Sequence, residues 1–218
     1  MTGSRGSLRE LIDDHLRVTR TARRSQSRAA QAARGAIRGK PWVTEEVHIQ
    51  ARPAEVTDRA VPGHWEGDLL MGARNQSAIV TLAERTTRFV MLGALPVDRS
   101  SPEVIAVVRR LLQRLPARLR ASLTWDQGVE MAGYAQFRLT DDCPVYFCDP
   151  HSPWQRGTNE NTNGLLRDYF PKGKVNFRDI DQADLDAVAD QLNTRPRQTL
   201  GWHTPTDKLN DLLHAPTG

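Results

Sequence analysis

Residues 63–95 read GHWEGDLLMGARNQSAIVTLAERTTRFVMLGAL, and this stretch decides the fold. It contains three apolar segments, at 65–71, 77–83 and 89–95, and two polar turns separate them. Short apolar runs bounded by turn residues are typical of β-strands that follow one another through tight connections. The stretch therefore predicts a three-strand antiparallel meander.

The chain after the meander alternates helices with short strands. Apolar positions between 104 and 115 recur at helical spacing, with Ser101 as the N-cap and Pro102 in the first turn. We further predict a strand at 122–125, a helix at 131–137, a strand at 144–147, a helix at 159–170 and a last helix around 185–192. This order predicts an α/β fold, in which helices flank a mixed sheet.

Three acidic residues lie where such a sheet can present side chains for chemistry. Asp68 interrupts the first apolar segment, Asp126 follows the fourth predicted strand, and Glu160 opens the helix after the fifth. Carboxylates that converge from separate elements suit divalent cations, because these ions prefer oxygen ligands. Each acid alone has an ordinary explanation as a strand-edge, turn or helix-start residue, but their joint occurrence favours a metal site. Glu66 shares the strand face of Asp68 and either supports the site or is solvated.

The helix at 159–170 has two distinct faces. One is apolar, and the other carries Glu160, Asn163, Gly164 and Arg167. Arg167 lies two turns after Glu160, about 10 Å along the axis, which is roughly the reach from a metal-bound phosphate to a neighbouring one. Gly164 permits a close approach of the backbone. We therefore assign the polar face to function.

The proline- and glycine-containing loop before this helix offers weaker candidates. Trp154 could stack on an unpaired base and Arg156 could contact a phosphate, or both could serve packing and solvation. His151 either assists proton transfer or braces the loop. Cys143 and Cys148 suggest zinc together with His151, but a fourth ligand is missing, so we expect free buried thiols.

Composition and charge narrow the class of protein. The 218 residues are 39% hydrophobic with a mean hydropathy of −0.55, which describes a globular chain that can bury one core. No apolar run approaches the length of a membrane helix, so we expect a cytoplasmic protein without a membrane partner. The net charge is +4, and the first 42 residues hold ten Lys and Arg against three Asp and Glu. This excess favours a polyanion as partner.

The domain organisation follows from these patterns. We predict a basic N-terminal arm at 1–50, a connector at 51–62 and a core domain at 63–213. Helical spacing from Leu8 to Leu16 predicts one short helix, and the Arg-rich segment after it is either a tail ordered by nucleic acid or a solvated leader. Pro53 and Pro62 predict that the connector is extended.

Four stretches carry a resemblance to a known family. They are HWEGDLL at 64–70, ERTTRF at 84–89, LTWDQG at 123–128 and HSPWQRGTNEN at 151–161. Together they resemble the catalytic core of DDE transposases from bacterial insertion sequences, most closely the IS-thirty type, a branch with a core like that of retroviral integrases. The resemblance covers about residues 52–213.

The resemblance implies an RNase H-like fold and a metal-dependent cleavage and transfer of DNA strands. It implies Asp68, Asp126 and Glu160 as the catalytic and metal-binding triad, with two Mg²⁺ or Mn²⁺ ions as cofactor. The implied partners are DNA, as transposon ends and target, and further copies of the chain in a homo-oligomer on DNA. We assign the DNA contacts to Arg167, Asn163, Arg156, Trp154, Asn159 and Lys172.

One departure from the family concerns DNA recognition. Its members have a helix-turn-helix region ahead of the core, whereas here we predict one short helix and an Arg-rich tail. We therefore expect end-specific binding to be lost or truncated. Two alternatives to a transposase follow, namely a truncated or regulatory DNA-binding derivative without end-specific transposition and an RNase H-like nuclease.

Overall fold

The computed structural model describes residues 40–95 and 98–214, which belong to one compact unit. The helix predicted from Leu8 to Leu16 and the Arg-rich tail up to residue 39 lie outside the described residues. Their structure therefore stays a prediction, as does the division of the chain at residues 50 and 62.

A five-stranded mixed sheet forms the centre of this unit. Its strands are β1 His64–Met71, β2 Ala78–Glu84, β3 Val90–Ala94, β4 Ser122–Trp125 and β5 Val145–Phe147. Their spatial order is β3-β2-β1-β4-β5. The first three strands pair antiparallel, as the meander predicts, whereas β4 and β5 run parallel to β1. The predicted mixed sheet is confirmed.

Helices cover both faces of the sheet. The described residues contain α1 Glu55–Asp58, α2 Ser101–Leu112, α3 Tyr134–Asp141, α4 Gly157–Tyr169, α5 Gln182–Asn193 and α6 Pro205–His214. The apolar side of α2 packs in a core on one face, and α4 and α5 contribute to a second core on the other. None of the described helices is both long enough and apolar enough to cross a membrane.

Strand β2 shows why the central segment is apolar throughout. Val80 and Leu82 belong to the core under α2, and Ile79 between them belongs to the core under α4 and α5. All seven residues of β2 are buried. A strand covered on both faces has no solvent side, so its sequence shows a continuous apolar run instead of an alternation.

Helix α2 begins at Ser101, the residue that the sequence analysis assigns as its N-cap. Ser100 occupies the N-cap position with extended backbone, and Ser101 is already helical. The helix ends at Leu112. The assignment of Ser101 as N-cap is therefore wrong by one residue.

The segment before β1 is more regular than an extended connector. Residues Glu45–Val47 and Ile49–Ala51 form 3-10 turns, and α1 follows them. Val47 is buried, and the rings of Trp42 and Phe147 meet edge to face at 4.9 Å. This segment packs on the core, because its apolar side chains find partners next to β5.

Gly67, in the middle of β1, faces a buried tryptophan. A Cβ atom at this position would lie 2.1 Å from Cζ3 of Trp125 and 3.1 Å from Cδ2 of Leu82. Trp125 is fully buried and its indole cannot move aside. The glycine between Glu66 and Asp68 therefore lets the indole pack directly against β1.

We expect Gly67→Ala to destabilise the protein by about 1–3 kcal/mol, because the added methyl group overpacks a filled space. Urea unfolding followed by tryptophan fluorescence measures the change. Gly164→Ala in α4 is the matched control, since no atom lies within 4 Å of its Cβ position. A helical alanine should stabilise by about 0.5–1 kcal/mol relative to glycine. Equal stability of Gly67→Ala and wild type would contradict the packing described for Trp125.

Candidate functional site

Strand β1 presents Asp68 to the face of the sheet that α4 covers. Leu70, two residues further on, points the same way into the core that contains Leu166 of α4. Oδ1 of Asp68 accepts a hydrogen bond from the backbone N of Leu69 at 2.9 Å, and Oδ2 accepts one from Nδ2 of Asn163 at 3.1 Å. Because the side chain is 28% exposed, its carboxylate is half-buried but reachable from solvent.

Asp126 arrives next to Asp68 through strand pairing. β4 runs parallel to β1, with Thr124 opposite Glu66. Asp126 and Asp68 therefore follow at equivalent positions of neighbouring strands. Oδ1 of Asp126 accepts a hydrogen bond from the backbone N of Gly128 at 2.9 Å, which fixes one carboxylate oxygen in the turn after β4.

Arg156 joins the two aspartates. Its Nη1 lies 3.4 Å from Oδ1 of Asp68, and its Nη2 lies 3.4 Å from Oδ2 of Asp126. Nη1 also donates a hydrogen bond to the carbonyl oxygen of Gly67 at 2.6 Å. The residue is only 8% exposed, so the sequence-based picture of a loop arginine reaching for phosphate does not describe this conformation. The guanidinium is instead the cation between two carboxylates.

The charges of this group depend on one another. Burial raises the pKa of the Asp68 carboxyl and Asp126 raises it further, while Arg156 opposes both effects. For Arg156, burial works against the charged form, but the two carboxylates outweigh it and raise its pKa. The guanidinium therefore stays charged and offsets the repulsion between the aspartates.

Glu160 lies in the first turn of α4 and is exposed. Within residues 40–95 and 98–214, no three His, Cys, Asp or Glu side chains form a group that could hold a metal ion. The structure thus brings Asp68 and Asp126 together and leaves Glu160 outside such a group. Its place in the triad stays a prediction.

Asn159, the neighbour of Glu160, has a structural role. It is fully buried, its backbone N donates to Oε2 of Glu66 at 2.9 Å, and its Nδ2 donates to the carbonyl oxygen of Glu66 at 3.2 Å. Its Oδ1 accepts a hydrogen bond from Oγ1 of Thr81 at 3.1 Å. The side chain fastens α4 to β1 and β2, and the assignment of Asn159 to DNA contact stays a prediction.

Glu66 is also buried, contrary to the option that it is solvated. It is fully inaccessible and forms an ion pair with Arg85. The pair supports α4 from below, since Glu66 also accepts the hydrogen bond from the backbone of Asn159. In the sequence, Glu66 stands out as an acidic residue within an apolar strand, on the same face as Asp68. Its partner Arg85 lies after β2, so the local pattern does not identify the ion pair.

A further carboxylate near the site escaped the sequence reasoning. Glu130 accepts a hydrogen bond from Nε1 of Trp125 at 3.1 Å. Burial raises the pKa of Glu130, and the charges of Asp126 and Asp68 add to the effect. Glu130 lies in the turn after β4. Acidic residues are common in turns, so the sequence does not distinguish Glu130 as part of a site.

The remaining DNA-contact candidates differ in accessibility. Trp154 is 60% exposed and Lys172 is exposed, as a contact with DNA requires. Arg167 is half-buried, and its Nη2 donates to the carbonyl oxygen of Met71 at 3.0 Å. Asn163 faces Asp68 instead of solvent. Trp154 and Lys172 are therefore the most accessible of these residues.

The two cysteines are free and buried, as the sequence analysis expects. Burial raises the pKa of each thiol, of Cys143 to about 12 and of Cys148 to about 12. Thiols held in this protonated state are poor metal ligands and poor nucleophiles.

The donor set around Asp68 fits a divalent cation. Besides the carboxylates of Asp68 and Asp126, it includes Oδ1 of Asn163, which is buried and has no hydrogen-bond partner. A buried amide oxygen without a partner costs free energy that a cation or another donor would recover. Carboxylate and amide oxygens are the ligands that Mg²⁺ and Mn²⁺ prefer.

Comparisons with known proteins agree on one kind of relative. The family profile described as Integrase core domain matches residues 58–153. The transposase for insertion sequence element IS1086 of Cupriavidus metallidurans is 49% identical over 213 residues, which are 98% of this chain and 60% of that protein. The transposase InsI for insertion sequence element IS30A of Escherichia coli is 43% identical over 204 residues, which are 94% of this chain and 51% of that protein. The chain thus spans about half to three fifths of the length of these relatives.

Solved structures show the same fold. The catalytic core domain of BIV integrase superposes with a TM-score of 0.54 at 18% identity, over 70% of this chain and 96% of that one. The simian T-cell lymphotropic virus intasome in complex with PP2A regulatory subunit B56 gamma gives a TM-score of 0.53 at 18% identity, over 72% of this chain and 56% of that one. The expected RNase H-like fold is confirmed.

We expect Arg156→Met to destabilise the protein at neutral pH, because two neighbouring carboxylates lose their shared cation. The carboxylates are partly exposed, so we expect about 1–2 kcal/mol instead of the cost of a fully buried pair. Urea unfolding at pH 7 gives the change, and Arg110→Met on the exposed side of α2 is the matched control. Adding Asp68→Asn to Arg156→Met should recover part of the loss. If Arg156→Met unfolds like wild type, the guanidinium does not compensate the aspartates.

Proposed function

We propose that this chain, which is 49% and 43% identical to the transposases of IS1086 and IS30A over the length that it shares with them, holds a transposase core that cleaves and transfers DNA strands. The observation that carries this proposal is the pairing of Asp68 and Asp126 on one guanidinium, at the ends of neighbouring parallel strands. Such a pair of carboxylates on a rigid sheet is the chemistry that phosphoryl transfer to and from DNA needs.

We propose Asp68, Asp126 and Glu160 as the residues that hold the divalent cations, two Mg²⁺ or Mn²⁺ ions. When bound, such ions lower the pKa of a water or 3′-hydroxyl nucleophile and stabilise the leaving oxygen. This chemistry needs no protein nucleophile, so no covalent protein–DNA intermediate is expected. Asn163 orients Asp68 through the hydrogen bond to Oδ2.

The residues around the carboxylates position the catalytic helix. Asn159 and Glu66 fix the first turn of α4 against β1, and Glu160 follows Asn159 directly. The backbone at Glu160 is thereby tied to the buried network, and the Glu160 side chain is exposed. Arg156 holds the two aspartates in place through its two ion pairs.

DNA is the proposed partner, as transposon ends and as target, with several copies of the chain acting together. Trp154 is exposed in the 3-10 turn before α4 and suits stacking on a base. Lys172, just beyond the other end of α4, suits a phosphate. The intact pair of aspartates favours an enzyme over a derivative that binds DNA without cutting it.

We expect Asp68→Asn, Asp126→Asn and Glu160→Gln each to reduce DNA cleavage on the order of 10⁴-fold, as the loss of one member of a catalytic set does in other enzymes. Affinity for DNA should stay equal or rise slightly, because a negative charge near phosphate is removed. Nicking of supercoiled plasmid in Mg²⁺ and fluorescence anisotropy with a labelled duplex measure the two quantities. Asp211→Asn in α6 is the control. A parallel loss of binding and cleavage would show that these residues serve the fold instead.

A second expectation concerns the basic arm. Deletion of residues 5–40 should weaken DNA binding and flatten its salt dependence, since each neutralised phosphate contributes about −0.9 to the log–log slope. Cleavage per bound complex should persist, because the aspartates lie in the core. Anisotropy titrations over a salt range, with random and candidate end sequences, test this. An unchanged slope after the deletion would exclude the arm as a DNA contact.

A further inference from the structure

Three arginines surround a cavity of about 230 Å³ beside the start of α4. Arg59, Arg88 and Arg197 line it, together with polar residues of the first turns of the helix, Thr158, Asn161 and Thr162. No Asp or Glu is among the described residues that form its wall. We call this cavity the arginine pocket.

Hydrogen bonds hold two of the guanidinium groups, those of Arg88 and Arg197, and the third, of Arg59, lies near Gly157. Nη1 of Arg88 donates to Oγ1 of Thr158 at 2.7 Å, which places it at the N-terminal turn of α4. Nη2 of Arg59 lies 4.0 Å from the position of a Cβ atom on Gly157, and the glycine leaves this side of the pocket open. Nη2 of Arg197 donates to the carbonyl oxygen of Leu192 at 3.0 Å.

The acids near Arg88 are engaged elsewhere. Glu84 accepts hydrogen bonds from the backbone N of Gly63 at 3.0 Å and of Thr86 at 2.9 Å, and it is fully buried. Glu66 pairs with Arg85 beneath α4. The described residues that line the pocket therefore include three arginines and no carboxylate.

The pocket brings these guanidinium groups close to the start of α4. Burial lowers the pKa of Arg88 and so does the charge of Arg59, against the opposing charges of Glu66 and Glu84. Both residues also have left-handed backbone, with φ of 62° at Arg59 and 63° at Arg88. Strained backbone that holds like charges together is typical of sites that bind a ligand.

We propose that the arginine pocket binds a phosphodiester group of the DNA strand that runs past α4 from the aspartates. The inference rests on the proposed function and adds a phosphate position on the side of the helix away from Asp68. Asn161 of the pocket directly follows Glu160, about 100° further round the helix. A phosphate in the pocket therefore lies on the order of 10 Å, one helix diameter, from a phosphate at the aspartates. Backbone phosphates of one strand recur about every 3.4 Å along a duplex axis, so one strand can reach both.

Arg59→Gln tests the proposal in the full chain. The carbonyl oxygen of Arg59 accepts a hydrogen bond from Oγ1 of Thr86, which does not involve the Arg59 side chain. Glutamine tolerates positive φ no better or worse than arginine. We expect several-fold weaker binding of a short random-sequence duplex and a salt slope shallower by about 0.9. Arg59→Lys should restore the slope. Arg110→Gln, on the helix of the opposite sheet face, should leave it unchanged.

A chemical substitution in the DNA identifies the contact. Methylphosphonate linkages, introduced one at a time, remove single phosphate charges. One linkage should weaken binding by wild type and have no further effect on binding by Arg59→Gln, which identifies the phosphate in the pocket. An additive loss at every linkage would overturn the proposal.

Two results separate this inference from the proposed function. If wild type cleaves DNA in Mg²⁺ and Arg59→Gln keeps the full salt slope, the pocket proposal alone fails. If wild type neither binds nor cleaves DNA, both fail. Thermal unfolding in the presence of inorganic phosphate tests whether the pocket binds a free anion instead of DNA. Stabilisation of wild type but not of Arg59→Gln, with unchanged DNA slopes, would assign the pocket to a free anion and overturn the DNA contact.

Discussion

The bridge that Arg156 makes between Asp68 and Asp126 is the interaction on which the site depends. Two carboxylates at the ends of neighbouring strands repel each other, and burial strengthens the repulsion. The guanidinium offsets it and is itself anchored to the carbonyl oxygen of Gly67. Since Gly67 packs directly on Trp125, the same few residues of β1 and β4 set the position of the aspartates and of their cation. Any divalent cation at the aspartates must share them with Arg156 or take its place.

A second buried network makes the first possible. Glu66, Arg85 and Asn159 join β1, the turn after β2 and the start of α4 beneath the surface. A buried charge pair contributes little to net stability, but it penalises every arrangement in which one partner is left alone. The network therefore fixes the position of α4 on the sheet, and with it the positions of Arg156, Glu160 and the arginine pocket. The catalytic group and the proposed phosphate position are two sides of one anchored helix.

Local sequence patterns were enough to predict the sheet and the close approach of Asp68 and Asp126. Asp68 and Asp126 stand out in sequence because each interrupts or ends a strand, and strand ends are visible in apolar runs. The position of α4 on the sheet was not predictable in this way. A helical wheel gives the angles between the side chains of a helix but not the direction in which the sheet lies. The sequence analysis assigned Arg156, from the loop before α4, and Asn159 to DNA contacts, whereas both side chains are buried against β1. The arginines of the pocket come from three segments far apart in the chain, so no single stretch of sequence predicts it.

We propose that Asp68 and Asp126 form the metal centre of a DNA-cleaving core. Titration of the full chain with Mn²⁺, followed by electron paramagnetic resonance of the free ion, tests it without reference to activity. We expect saturable binding by wild type, strongly weakened binding by Asp68→Asn and by Asp126→Asn, and binding like wild type by Asp211→Asn. Binding of Mn²⁺ by Asp68→Asn and Asp126→Asn with the affinity of wild type would contradict it.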